Sequence, residues 1–246
     1  MRKIGPKKSA ERKVRKVKKR FTLLTTFTML LSLAPAAAFA AEDGNADNSK
    51  KDVNVAVVLD ASGSMAQKVE GERKFDIAKE SVTDFADLLS SDANVMLNVF
   101  GHKGNNKNSG KELSCGTTET VYDLQPFSSN SFENALSGIK PTGWSPIAKS
   151  LYDVKEDLAD KDGKNYVYIV TDGEETCGGD PVQAAKDLRK SNIKTIVNIV
   201  GLDVKTVKEK AKLKKVAAAG GGKLIEADSA SDFKKVWKEE GVKLSQ

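Results

Sequence analysis

Between Val53 and Met65 the chain reads VNVAVVLDASGSM, and three of those residues carry oxygen side chains at alternate positions: Asp60, Ser62 and Ser64. One carboxylate and two hydroxyls form a hard, oxygen-only donor set, suited to Mg²⁺, Mn²⁺ or Ca²⁺ rather than zinc. Gly63 lets the loop curl tightly enough for those oxygens to point at one spot. The same spacing also fits an ordinary strand-to-helix turn with a capping serine, so the motif alone does not decide. A second acid, Asp172, stands in a comparable place, at the end of the apolar run in YVYIVTDGEETC. The adjacent Glu174 and Glu175 read as a solvated rim around it. The chain has a single histidine, His102, and no cysteine–histidine spacing, which argues against a zinc site. Nor does it pair a nucleophile with a base.

The elements that must position these residues follow from hydrophobic periodicity. Val55 to Leu59 is five apolar residues in a row, the signature of a strand buried on both faces of a parallel sheet. Residues 73–89 follow a helical period, with Phe75, Ala78, Val82, Phe85, Ala86 and Leu89 on one face. Lys74, Lys79, Glu80, Asp84 and Asp87 are then assigned to a solvated face. A second strand covers 94–100, followed by a long polar loop to Thr118 and a short third strand over 119–124. Ser131 is expected to cap a brief helix. After the turn-rich stretch PTGWSP, Ile147, Leu151, Val154 and Leu158 form the buried stripe of the next helix. A fourth strand covers 165–170, and Asp180 caps a helix that begins at Pro181. A fifth strand covers 193–200, a Lys-rich helix 204–219, and a sixth strand 223–226, with a closing helix from Ser229. Gly220–Gly222 precedes a strand, so it reads as a helix stop and not as a phosphate-cradling loop.

This alternation predicts an α/β fold: a doubly wound, mainly parallel six-stranded sheet in the order 3-2-1-4-5-6, with helices on both faces. In that order strands 1 and 4 are neighbours. Their C-terminal ends flank the crevice where such sheets bind ligands. Asp60 and Asp172, far apart in sequence, would meet there.

Charge divides the 246-residue chain unevenly. Residues 1–40 carry eleven Lys/Arg and one acid, Glu11; the other 206 residues carry 29 bases and 33 acids. A slightly acidic body is not what nucleic-acid binding requires. The leader has a basic stretch to Arg20, an uncharged apolar stretch from Phe21 to Ala34, and the small-residue ending Ala38-Phe39-Ala40, so it reads as a cleaved signal peptide spanning 1–40. Residues 41–51 read as a disordered lead. Export would place the body outside the cell or at the cell wall, with no membrane span left after cleavage. The two cysteines, Cys115 and Cys177, could then be oxidised.

Three stretches in order, VVLDASGSM, PTGWSPIAKSL and YIVTDGEETC, resemble the von Willebrand factor type A (VWA) domain over residues 52–246, and within it small exported bacterial proteins. The resemblance implies a metal-ion-dependent adhesion site. Asp60, Ser62 and Ser64 would fill its first loop, Ser145 its second and Asp172 its third. The family commonly has a threonine where Ser145 stands; serine keeps the donor oxygen but not the stiffening methyl. Thr142 is the competing donor. The serine hydroxyls would bind Mg²⁺ (or Mn²⁺ or Ca²⁺) directly, with the acids acting largely through water. An open position would accept an Asp or Glu carboxylate from a partner protein. The implied function is an extracellular, metal-dependent protein-binding module and not an enzyme. A metal-dependent hydrolase and a permanent envelope assembly component are the alternatives. In the resembled fold the third strand runs antiparallel, which puts the loop carrying Cys115 on the same edge as that carrying Cys177. A Cys115–Cys177 disulfide beside the metal is expected.

N-terminal sequencing of the exported protein should return Ala41. A start at Met1 in the membrane fraction would instead mean an uncleaved anchor.

Overall fold

The computed structural model describes residues 53–89, 93–191 and 195–245; the expected signal peptide and lead lie outside them. Along the chain run β1 (Val53–Asp60), a 3₁₀ turn (Gly63–Ala66), a small hairpin of β2 (Lys68–Val69) and β3 (Glu72–Arg73), and α1 (Lys74–Asp87). Then come β4 (Ala93–Phe100), α2 (Asn108–Gly116), β5 (Thr118–Pro126), α3 (Ser129–Ser137) and α4 (Ile147–Asp157). The second half holds β6 (Lys164–Thr171), α5 (Pro181–Lys190), β7 (Thr195–Leu202), α6 (Val207–Ala219), β8 (Gly221–Ala227) and α7 (Ala230–Leu244).

The main sheet has six strands in the order β5-β4-β1-β6-β7-β8. Counting only those strands along the chain, this is the expected 3-2-1-4-5-6. All neighbours are parallel except β4 and β5. The apolar runs are continuous because both faces of β1 are covered. Val55, Val57 and Leu59 pack with Phe75, Val82 and Phe85 of α1 and Phe233 and Trp237 of α7. The alternate residues Ala56 and Val58 join Leu151 and Val154 of α4, Leu188 of α5 and Leu213 of α6. Register is fixed at the other end of the sheet by amides. Asn54 pairs across β1 with Asn94 and Asn165. Its Nδ2 donates to Asn165 Oδ1 at 2.9 Å, and its Oδ1 accepts from Asn94 at 3.1 Å. A slip of one residue would break these bonds and exchange the two apolar sets between the helical layers.

Several expected boundaries move, each for a local reason. The polar segment before Thr118 contains a helix, α2. Only Gly110 and Ser114 of that helix are buried, so no apolar stripe announces it. Ser131 lies inside α3, which begins after Ser128, and so does not cap it. The Lys-rich helix starts at Val207 and not Val204, because Thr206 and Glu209 form a reciprocal capping box. Gly220 ends α6, but Gly221 and Gly222 already belong to β8. The fifth strand begins at Thr195, and Ile193 lies outside the described residues. Among the described residues no helix is long and apolar enough to cross a membrane.

Aromatic packing closes the α1–α7 side. Phe85 meets Trp237 edge-on at 4.6 Å and Tyr168 at 5.3 Å between centroids. Phe85→Ala should therefore lower the unfolding free energy by about 3–5 kcal/mol in urea melts. A loss under about 1 kcal/mol would mean the cluster repacks around the cavity.

Candidate metal centre

The site begins with strand register. Leu59 of β1 lies beside Val170 of β6, so the next residues, Asp60 and Thr171, are neighbours at the top of the sheet. Thr171 Oγ1 donates to Asp60 Oδ2 at 2.6 Å, and the Ser62 N–H donates to Asp60 Oδ1 at 2.6 Å. Asp60 is fully buried and both of its oxygens are taken. Burial first, then the neighbouring Asp172 charge, pushes its carboxyl up to about 7 against the hydrogen bonds from Ser62 and Thr171.

Ser62 precedes the 3₁₀ turn but makes no side-chain capping bond there, which disposes of the capping-serine reading. Its Oγ lies 3.0 Å from Ser64 Oγ, and Ser64 Oγ donates to Asp172 Oδ1 at 2.7 Å. The structure thus brings Asp60, Ser62, Ser64 and Asp172 together in one hydrogen-bonded group. The second loop is joined to it through the backbone. Ser62 and Gly143 form a parallel bridge, the Gly63 N–H donates to Gly143 O at 2.9 Å, and the Thr142 N–H donates to Ala61 O at 3.0 Å. Ser145 follows two residues later, buried, with its N–H donating to Thr176 Oγ1 at 2.8 Å. The Thr142 hydroxyl is turned to the Gly101 carbonyl, 3.3 Å away. Gly101 must be glycine: its φ is +76°, and a Cβ there would sit 2.5 Å from Ser62 N.

These residues fit a divalent cation by the chemistry of their donors. Two carboxylates crowd a buried corner and hydroxyl oxygens line it, a hard oxygen donor set. Among the described residues no three His, Cys, Asp or Glu side chains gather as a cluster by themselves, so any site here depends on the serines.

Four participants escape a sequence reading. Lys74, assigned to the solvated face of α1, is 2 % exposed and reaches Asp172 Oδ2 at 3.0 Å. The signal was present: Lys74 is four residues before Ala78 and so extends the buried stripe. Thr171 is the second. The third is Glu175, which is no solvated rim: its carboxylate accepts from the Ala148 N–H at 2.9 Å, satisfying the start of α4, and from the Cys177 N–H at 2.8 Å. The fourth is Ser114 of α2, fully buried, whose Oγ accepts from the Trp144 N–H at 2.7 Å. Cys115, its neighbour, is bonded to Cys177 with the Cα atoms 5.4 Å apart. The short helix therefore clamps the second loop through Ser114 and the third through the disulfide. His102 is taken up by Glu119, 2.9 Å from its Nε2.

Comparison with known proteins bears on the fold. The family model for the von Willebrand factor type A domain matches residues 54–239. The YwmD protein of Bacillus subtilis (strain 168) is 53 % identical over 220 residues, covering 88 % of this chain and 95 % of that one. Among solved structures, the pilus adhesin SpaC from Lactobacillus rhamnosus GG superposes with a TM-score of 0.64 at 16 % identity, over 80 % of this chain and 31 % of that one. Proximal thread matrix protein 1 from the mussel byssus, with a zinc-occupied MIDAS motif, gives 0.59 at 18 % identity, over 78 % of this chain and 45 % of that one.

The clamp is testable without any ligand. Cys115→Ser/Cys177→Ser should cost up to about 4 kcal/mol of stability. It should also speed hydrogen exchange at Trp144 as well as at Cys177. Acceleration confined to the Cys177 loop would show that α2 does not hold the second loop.

Proposed function

The chain belongs to the von Willebrand factor type A domain family, and from that we propose that it is an extracellular binding module which uses one Mg²⁺ or Mn²⁺ to capture an Asp or Glu carboxylate of a partner protein. The observation that carries this reading is the hydrogen-bonded line Ser62–Ser64–Asp172 laid over the buried Asp60. A bound divalent ion would supply a Lewis-acidic positive charge for a carboxylate to meet. The protein's own residues do the rest. Ser62 and Ser64 present hydroxyl oxygens, Ser145 adds one from the second loop, and Asp172 presents Oδ1. Asp60 stays behind, held by Ser62 and Thr171, and sets the shape and charge of the loop. Oxygen donors favour Mg²⁺, Mn²⁺ or Ca²⁺ over zinc; the zinc in the byssus protein makes Zn²⁺ a necessary control.

Binding is favoured over hydrolysis because the acids of the site are engaged in holding the loops, and the one histidine is paired with Glu119. The adhesin likeness and the signal-like leader both support a place outside the cell or at its wall, and the acidic body supports a protein partner over a nucleic acid.

Metal binds only the folded state in this account, so melting should rise with metal concentration. At a hundredfold excess over Kd the rise should be about 5–10 °C. Asp60→Ala and Asp172→Ala should abolish it. So should Ser62→Ala/Ser64→Ala, which leaves the Lys74–Asp172 pair intact. Equal shifts in wild type and the serine double variant would defeat the proposal. A partner recovered from the producing cell's envelope with Mg²⁺ should be released by EDTA.

A further inference from the structure

Lys74 is a costly residue to put where it is. It opens α1, where the helix dipole repels a cation. It is 2 % exposed, and a buried ammonium is unfavourable unless paired. Two acids pair it: Asp172 Oδ2 at 3.0 Å and Asp203 Oδ2 at 3.2 Å. Asp203 sits at φ +53°, in the left-handed region that aspartate and asparagine enter more readily than other residues with a side chain. Two locally unfavourable features, a cation at a helix start and a buried ammonium, thus meet at Lys74, placed directly behind a carboxylate of the candidate metal centre.

The consequence lies in how Asp172 is divided. Ser64 holds Oδ1, on the side of the serines, and Lys74 holds Oδ2. Half of the carboxylate is committed to the protein's own cation. We propose that Lys74 is a positioning residue that keeps the metal site short of negative charge. It ties down one oxygen of Asp172 and sets a fixed positive charge behind it, so that a divalent ion is held weakly until an incoming carboxylate completes its neutralisation. Metal and carboxylate ligand then bind cooperatively, each raising the affinity of the other by the same factor. This rests on the reading of the site as a metal centre. Asp203 moderates the effect by offsetting part of the ammonium charge, and Lys205, also paired to Asp203, limits that offset.

The test is Mn²⁺ binding, read from the electron spin resonance signal of free Mn²⁺, with and without sodium acetate as the carboxylate. Wild type, Lys74→Met, Lys74→Arg and Asp203→Asn are compared, with near-UV circular dichroism to verify native packing. Removing a unit charge one carboxylate away from a divalent ion should tighten Mn²⁺ binding in Lys74→Met by about tenfold or more. Acetate should strengthen Mn²⁺ binding to wild type and do so much less in Lys74→Met. Lys74→Arg, which keeps the charge, should stay close to wild type. Asp203→Asn should bind Mn²⁺ more weakly, because the ammonium loses its offsetting partner; asparagine tolerates the left-handed backbone. Natively packed Lys74→Met that binds Mn²⁺ no more tightly than wild type would overturn the proposal and leave the metal reading standing. If Lys74→Met does not fold, Asp203→Asn decides: weaker binding supports the role, and equal or tighter binding overturns it. Binding by Lys74→Met but not by wild type would support the role of Lys74 while removing the metal from the natural protein. Binding by neither would overturn both.

Discussion

Two carboxylates buried side by side at the end of a parallel sheet are the constraint on which the top of this molecule depends. Asp60 and Asp172 are brought together by the pairing of β1 with β6, and their mutual repulsion in a dry corner must be offset. Every surrounding feature does part of that. Thr171 and the Ser62 amide hold Asp60, Ser64 and Lys74 divide Asp172, and the Gly101 bend lets the end of β4 crowd the first loop. These contacts offset part of the repulsion between the two acids.

The loops around the corner are held by different means. The first is held by the carboxylate it surrounds. The second is paired by backbone to the first and pinned from outside by Ser114. The third is stapled to α4 by Glu175 and to α2 by the disulfide. A rim fixed in this way would lose little freedom on docking, which suits the binding role proposed for it. Trp144, partly exposed with the Lys111 ammonium 4.2 Å above its ring, is part of that rim and not of the core.

The sheet was legible because its central strands are apolar on both faces and each ends at an acid, so strand order and the meeting of Asp60 with Asp172 followed together. The Cys115–Cys177 pairing followed from there being two cysteines and from the antiparallel third strand of the resembled family. What was not legible has a common physical cause: side chains whose chemistry suggests solvent but whose partners are distant in sequence. Hydropathy sends Lys74 to the surface, and only Asp172 and Asp203 draw it inward. Glu175 reads as rim because the amides it caps belong to another element. The helix α2 has no apolar stripe to reveal it, since it is held by a serine, a glycine and a disulfide rather than by a hydrophobic face. Ser145 lies between these cases. Its loop is placed beside Ser62, and Ser145 itself is buried with its N–H on Thr176 Oγ1.

The central claim is that one divalent ion is held where the three loops meet. Diffraction from crystals grown with Mn²⁺, recorded at a wavelength where manganese scatters anomalously, tests it most directly. The account predicts a single anomalous peak within direct bonding distance of Ser62 Oγ and Ser64 Oγ, on the Oδ1 side of Asp172, with Lys74 still on Oδ2. A peak elsewhere on the protein, or none at saturating Mn²⁺ with the loops in the arrangement described, would contradict it.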